Sequence, residues 1–144
     1  MAIRPFEPAD RAAVLALWEA CGLTRPWNPP EGDLDRALSS PSSAILVKEC
    51  DGAVQGSVMV GDDGHRGWVY YLSVQPSLQR SGQGQALMAA AEDWLRARGV
   101  RKIELMVRST NDAAVGFYQA IGYGQEPVTV LSRWLIENPK GEAS

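Results

Sequence analysis

Between Gln79 and Gly84 the chain reads Gln-Arg-Ser-Gly-Gln-Gly, a polar run set between an aromatic, β-branched stretch ending near Val74 and a stretch with helical apolar spacing. A turn of this kind leaves backbone N–H groups unpaired at the positive end of a helix, and its glycines let an anion approach without a Cβ in the way. That chemistry suits a phosphate or diphosphate. Arg80 adds a full charge, and the side chains of Gln79 and Ser81 can hydrogen-bond oxygen. The same six residues also fit a purely structural turn. The P-loop pattern fails, because it needs Lys and then Ser or Thr after its second glycine, and Gly84 is followed by Gln85-Ala86. A dinucleotide-binding turn needs a third small residue where the register from Gly82 puts Leu87. Glu104 lies at a suitable separation for that pattern but falls in mid-strand, so the pattern is met only in part.

The rest of the composition narrows the class. At 144 residues, the chain fits one domain, expected over residues 1–138, with a polar tail over 139–144 that holds Pro139 and Gly141. Apolar residues make up 45% and charged residues 22%, a globular balance. The net charge of −3, with no clustered run of Lys and Arg, argues against nucleic acid as a partner. No stretch approaches the roughly 18 apolar residues of a membrane span and the first ten residues lack a signal-peptide segment, so neither membrane nor export is indicated. The expected setting is the cytoplasm. Cys21 and Cys50 lack CxxC or CxxH contexts, so no metal site or disulfide framework is signalled, and both read as buried apolar fillers.

The elements that must position the turn follow from pattern. Ile3 to Phe6 reads as an opening strand. Val14, Leu17, Trp18 and Cys21 share a helical face that Gly22 stops. Leu23 to Gly32, with three prolines, is a shaped loop, and a short helix is expected from Asp33 to about Ser39. Ser43 to Glu49 and Ala53 to Gly61 are strand-like, with Asp51-Gly52 as a hairpin signal between them. Trp68 to Val74 has strand composition. Leu87, Ala91, Trp94 and Leu95 then form a helical stripe closed by Gly99, and Ile103, Leu105 and Val107 alternate as a strand. Asn111 opens another helix that Gly122 stops, and Val128 to Glu137 reads as a last strand. A meander followed by one βαβ crossover makes an α/β (mixed α+β) fold: a mixed, mostly antiparallel sheet with helices on both faces.

Gln79, Gly82 and Gly84 behind Leu72-x-Val74-x-Pro76 meet the pattern [Q/R]-x-x-G-x-[G/A], and Asn111 to Tyr123 meets N-x-x-A-x-x-F-Y-x-x-x-G-[FY]. Together these blocks resemble the GNAT superfamily of acyl-CoA N-acyltransferases. The resemblance covers the whole chain in element order and is strongest from about His65 to Tyr123. The Arg25-Pro26-Trp27-Asn28 and Asp63-to-Trp68 blocks resemble a small bacterial branch of it. Arg80 departs from the pattern, since many members carry glycine there, which puts the shape of the turn in question.

The resemblance implies a sheet splayed between the two parallel strands ending at Val74 and Val107, with acetyl-CoA as cosubstrate and no metal. Residues 79–84, that is Gln79, Arg80, Ser81, Gly82, Gln83 and Gly84, would hold the diphosphate, while Leu72 and Val74 would pair with pantetheine amides. A backbone N–H near Leu72 would serve as oxyanion donor for the tetrahedral intermediate. Tyr118 would hydrogen-bond the departing thiolate; with unperturbed pKa values of roughly 10 for Tyr and 8.5 for a thiol, full proton transfer is uphill by about 2 kcal/mol. The other reading of Tyr118 is packing on a helix face. Asn111 would contact pantetheine, cap its helix, or do both.

The implied partner is a small-molecule or peptide amine. Arg25, Trp27 and Asn28 lie in the loop where the family builds its acceptor pocket, and Arg25 suits a substrate carboxylate; a rigid loop with Trp27 plugging the core fits equally. His65 has a suitable intrinsic pKa for a base but also reads as a solvated loop residue. Tyr70 stands beside Leu72 as a further acceptor contact. Asp62 and Asp63 would attract a cation or be simply solvated, and Glu104 faces the other side of the sheet from Ile103. An apolar last strand with Val130, Leu131, Trp134 and Leu135 suits pairing across a homodimer. The rival to an N-acetyltransferase is an acyl-CoA-binding module without turnover.

Overall fold

Asp51 and Gly52 both take positive φ, 52° and 78°, the pair a two-residue type I′ hairpin requires and one that Asp-Gly adopts readily. They join β2 (Ser43–Cys50) to β3 (Ala53–Asp62), paired antiparallel with Ser43 opposite Gly61 and Val47 opposite Ser57. The computed structural model describes residues 2–140. β1 (Ala2–Pro5) adds antiparallel to β2, and β4 (Gly67–Val74) antiparallel to β3. β5 (Ile103–Glu104) runs parallel to β4, which completes a five-stranded sheet in the order β1-β2-β3-β4-β5. The mixed, mostly antiparallel sheet read from the sequence is present.

Helices cover both faces. α1 (Arg11–Ala20), entered through a 3-10 turn at Pro8–Asp10, and α2 (Pro30–Ser39) bury Val14, Trp18, Leu34 and Ala37 against Ile45 and Val47. α3 (Gln83–Ala97) buries Leu87, Met88, Ala91 and Leu95 on the other face. Each fully buried Val, Leu or Met side chain among these contributes roughly 1.5–3 kcal/mol. Gly67 lets α3 sit close, since a Cβ there would run into the Leu95 side chain. At the sheet's far edge Arg4 donates twice to Asp10, at 2.8 and 3.0 Å, and once to Glu49 at 2.7 Å, tying β1 to α1 and β2. That guanidinium, with the Glu7 N–H, holds the buried Asp10 carboxyl below the usual carboxylate range despite its desolvation.

The described residues fall into two compact units that divide between Met106 and Val107. The sheet and α1 to α3 lie in the first; α4 (Asp112–Ala120) lies in the second. Three expectations need correction. α2 starts at Pro30 rather than Asp33, because proline fits the first helical position, where no N–H is needed. β5 ends at Glu104 rather than Val107; among the described residues it pairs with β4 at Gly67 and Trp68 alone, and strand pairing on that side of β4 stops there. Val128 to Glu137 is not a strand, since a ladder needs a partner and the second unit has no strand among its described residues. Val130, Leu131, Trp134 and Leu135 therefore form no strand edge that a second copy could extend. Of the expected tail, Pro139 and Lys140 form a turn, and residues 141–144 lie outside the described residues.

Candidate active site

The glycine-bearing turn leaves β4 through a 3-10 turn at Pro76–Leu78 and enters α3. Gln79 Nε2 donates to the Val74 carbonyl at 3.2 Å, and the Ser81 hydroxyl donates to the Leu78 carbonyl. These two side chains thus shape the turn from within. Arg80 is exposed at φ 66°, the left-handed conformation a glycine would adopt without strain; for a residue with a Cβ it costs roughly 1–2 kcal/mol. The turn keeps a glycine-like shape in spite of the substitution. Gly82 caps α3 at φ 84°.

The first intrahelical bond runs from Ala86 N to Gly82 O at 3.1 Å, so the amides of Gly82, Gln83, Gly84 and Gln85 have no partner inside the helix. They sit at the positive end of a 15-residue helix. Gln83, 7% exposed, adds a buried Oε1 without a hydrogen-bond partner among the described residues, an acceptor that an amide N–H of a pantetheine arm could complete. Amide donors, a helix terminus, an exposed guanidinium and an unsatisfied acceptor fit an acyl-CoA, whose diphosphate and amides need those groups.

On β4 the register jumps. Ser73 is opposite Ser57 and Tyr70 is opposite Met59, so Tyr71 and Leu72 both face the single residue Val58. This is a β-bulge, which takes a residue out of the ladder and re-aims its backbone groups. Tyr71 carries φ 54°, an outlier for an aromatic residue. Its ring stacks on Trp18 with centroids 4.0 Å apart, and its hydroxyl donates to Asp33 Oδ2 at 2.6 Å. Asn28 Nδ2 donates to the same carboxylate at 3.1 Å and to the Tyr71 hydroxyl at 3.4 Å. Below the bulge, Trp18 Nε1 donates to Ser57 Oγ at 3.1 Å, and the Ser57 and Ser73 hydroxyls lie 2.8 Å apart. Burial, then the hydrogen bond and charge of Asp33, raise the Tyr71 pKa above its ordinary value. Two residues along, the Val74 carbonyl already accepts from Gln79 and from Cys21 Sγ, the latter at 3.1 Å.

In the second unit, Asn111 Oδ1 accepts from Ala114 N at 3.1 Å and caps α4. Tyr118 packs edge-on against Phe117 and Tyr123, centroids 5.0 and 5.8 Å away. Burial pushes its hydroxyl up to about 12, so it is a protonated donor at neutral pH. Against a thiol near 8.5, giving the proton up completely is uphill by about 5 kcal/mol.

Other sequence candidates have local duties. Arg25 Nη1 donates to the Gly22 and Thr24 carbonyls at 2.7 and 2.8 Å, and Trp27 is half-buried. Asp63 accepts from His65 N, Arg66 N and Trp68 Nε1, and Asp62 from Gly64 N, so both carboxylates build the hairpin tip. His65 is exposed there. Tyr70 is 44% exposed, its pKa raised by burial and then by Asp63. Glu104 pairs with Arg66 at 3.4 Å. The cysteines are free and partly exposed, not buried fillers. The trio of Trp18, Tyr71 and Asp33 was not singled out in the sequence; the only signal was an aromatic pair next to Leu72. Among the described residues, no group of three or more His, Cys, Asp and Glu is placed to hold a metal, and no helix is long and apolar enough to cross a membrane.

A mixed five-stranded sheet covered on both faces, a bulge in β4 and a glycine-bearing turn into α3 suit a fold that takes an acyl-CoA, and residues 12–123 match the Acetyltransferase (GNAT) family. The chain belongs to that family. It is 45% identical over 136 residues to an acetyltransferase of Yersinia enterocolitica, covering 94% of this chain and 96% of that one. It is 46% identical over 138 residues to an acetyltransferase of Pectobacterium atrosepticum, covering 96% and 98%. In fold it is similar to an aminoglycoside acetyltransferase solved with a bisubstrate analogue of coenzyme A (TM-score 0.76, 19% identity, 94% of this chain and 98% of that one). It is also similar to the ribosomal-protein-S18-alanine N-acetyltransferase of Escherichia coli (TM-score 0.73, 22% identity, 87% and 78%). The chain is an acyl-CoA-dependent N-acetyltransferase, with acetyl-CoA as its acyl donor.

Proposed function

We propose that the chain works as one catalytic domain in which a primary amine of a small molecule, amino acid or protein attacks the thioester of acetyl-CoA directly. The observation that carries the reading is the start of α3: amides without intrahelical partners behind Arg80, with the unsatisfied Gln83 Oε1 among them. In this reading Gln79 and Ser81 shape the turn, and Arg80, Gly82, Gln83 and Gly84 present charge and amides to the diphosphate. The side of β4 beyond Trp68, where pairing with β5 ends, offers Leu72 and Val74 to the pantetheine. Since the Val74 carbonyl is already engaged, its role there falls to the N–H. Leu72 N–H is assigned to the thioester carbonyl oxygen, because the bulge takes this stretch out of the ladder.

Tyr118 is assigned as hydrogen-bond donor to the departing thiolate, on the strength of the family segment around it and of its raised pKa. Asn111 is assigned to the pantetheine through its side-chain N–H group, its oxygen being taken by the cap. Arg25, Trp27, Asn28, His65 and Tyr70 stay assigned to the acceptor side. The cytoplasm is the proposed setting, in keeping with two free cysteines.

Calorimetric titration with acetyl-CoA and separately with NADH tests the donor. Acetyl-CoA is expected to bind and NADH not; the reverse overturns the reading. Thiol release from acetyl-CoA over a panel of amines then identifies the acceptor. Tyr118→Phe is expected to keep acetyl-CoA binding and lose transfer by about 100-fold or more; unchanged transfer removes Tyr118 from the chemistry.

A further inference from the structure

We infer that Trp18, Tyr71 and Asp33 act as positioning residues, clamping the β4 bulge in the one shape that presents the Leu72 N–H to a thioester carbonyl. The inference rests on the role proposed for Leu72 and goes beyond it by naming what holds that amide in place.

Three observations converge. The backbone at Tyr71 is left-handed, φ 54°, a conformation an aromatic residue keeps only when its surroundings fix it. Those surroundings come from two helices and a loop. The Trp18 ring, from α1 and fully buried, stacks at an interplanar angle of 13°. Asp33, from the first turn of α2, accepts the hydroxyl at 2.6 Å, and Asn28 braces the carboxylate. Trp18 also reaches the residues flanking the bulge on its other side, through Ser57 to Ser73. Leu72 is therefore held between two anchored neighbours, and Trp18 touches both anchoring systems. An amide that must meet an oxygen within a few tenths of an ångström needs such support. The second oxygen of Asp33 and the exposed Asn28 leave one competing role for the carboxylate, recognition of the acceptor's ammonium group, and the experiment separates the two.

The test uses the full chain with acetyl-CoA carrying a 13C-labelled carbonyl, read by infrared difference spectroscopy. The wild-type protein is expected to lower the thioester carbonyl stretch relative to free acetyl-CoA. Tyr71→Phe and Asp33→Ala are each expected to restore more than about half of that shift toward the free value and to lower kcat about tenfold. Affinity for CoA, which has no acetyl group, should stay within about twofold. Asp33→Asn, whose amide oxygen still accepts the Tyr71 hydroxyl, should keep the wild-type frequency. If Tyr71→Phe does not fold, Asp33→Ala carries the test.

The clamp is overturned if both variants bind acetyl-CoA with the wild-type frequency. It is likewise overturned if Asp33→Ala changes only the acceptor KM, which would make Asp33 an acceptor-binding group. A wild-type protein that binds acetyl-CoA without any shift removes the Leu72 assignment itself, and one that does not bind acetyl-CoA removes the reading of the α3 turn.

Discussion

Arg80 and Tyr71 both hold a left-handed backbone with a full side chain, at φ 66° and 54°, yet they do so for different reasons. At Arg80 the side chain is exposed, and the conformation is set by its chain neighbours, Gln79 bonded back to Val74 and Ser81 to Leu78. At Tyr71 it is set by residues 38 and 53 positions away in sequence, Asp33 and Trp18, together with Asn28. Local strain of the first kind can be relieved by one substitution. Strain of the second kind is over-determined, and relieving it means dismantling the contacts that impose it.

The largest effect expected from that contrast is at Trp18. Trp18→Ala empties a fully buried site and strips both the stack on Tyr71 and the donor to Ser57, so denaturant titration should show a loss of about 3–5 kcal/mol. A loss below about 1 kcal/mol would mean that the bulge does not depend on its anchor. Substituting glycine at the two strained positions sharpens the comparison. Tyr71→Gly relaxes the backbone but forfeits the stacked ring and the hydrogen bond, for a net loss of about 1–3 kcal/mol. Arg80→Gly forfeits no packing and should leave stability within about 1 kcal/mol of wild type while weakening acetyl-CoA about fivefold. Equal losses at both sites would erase the distinction.

The smallest effect is a pH dependence confined to the bulge. The Tyr71 pKa is raised on folding, so its contribution to stability is fully present below its unfolded value near 10 and is lost as pH rises through the folded one. Denaturation midpoints for the wild type should therefore fall more steeply above about pH 10 than those for Tyr71→Phe. Parallel curves would remove the hydroxyl from the clamp.

The same contrast explains what the sequence made legible. Features fixed by a few neighbouring residues could be read: the Asp51-Gly52 hairpin, the stops at Gly22, Gly99 and Gly122, which all take positive φ, the Asn111 cap, and the turn before α3. Features that depend on a distant partner could not. A bulge is a count of two residues against one across a strand pair, and Trp68 to Val74 reads the same with or without it. Asp33 looked like an ordinary helix-start acid until the fold brought it to Tyr71. Val128 to Glu137 has strand composition, but composition cannot supply the ladder partner a strand requires. Charge singles out Arg25, Asp62 and Asp63 in the sequence, whereas the fold bonds them to nearby backbone.

The amides of the α3 turn give the most direct test of the account as a whole. In 15N-labelled protein titrated with CoA, the backbone N–H resonances of Gly82, Gln83 and Gly84 should shift downfield and saturate together with the binding isotherm, as N–H groups do when they begin to donate to phosphate oxygens. If CoA binds and those three resonances stay where they were while others move, the diphosphate lies elsewhere and the assignment of this turn is wrong.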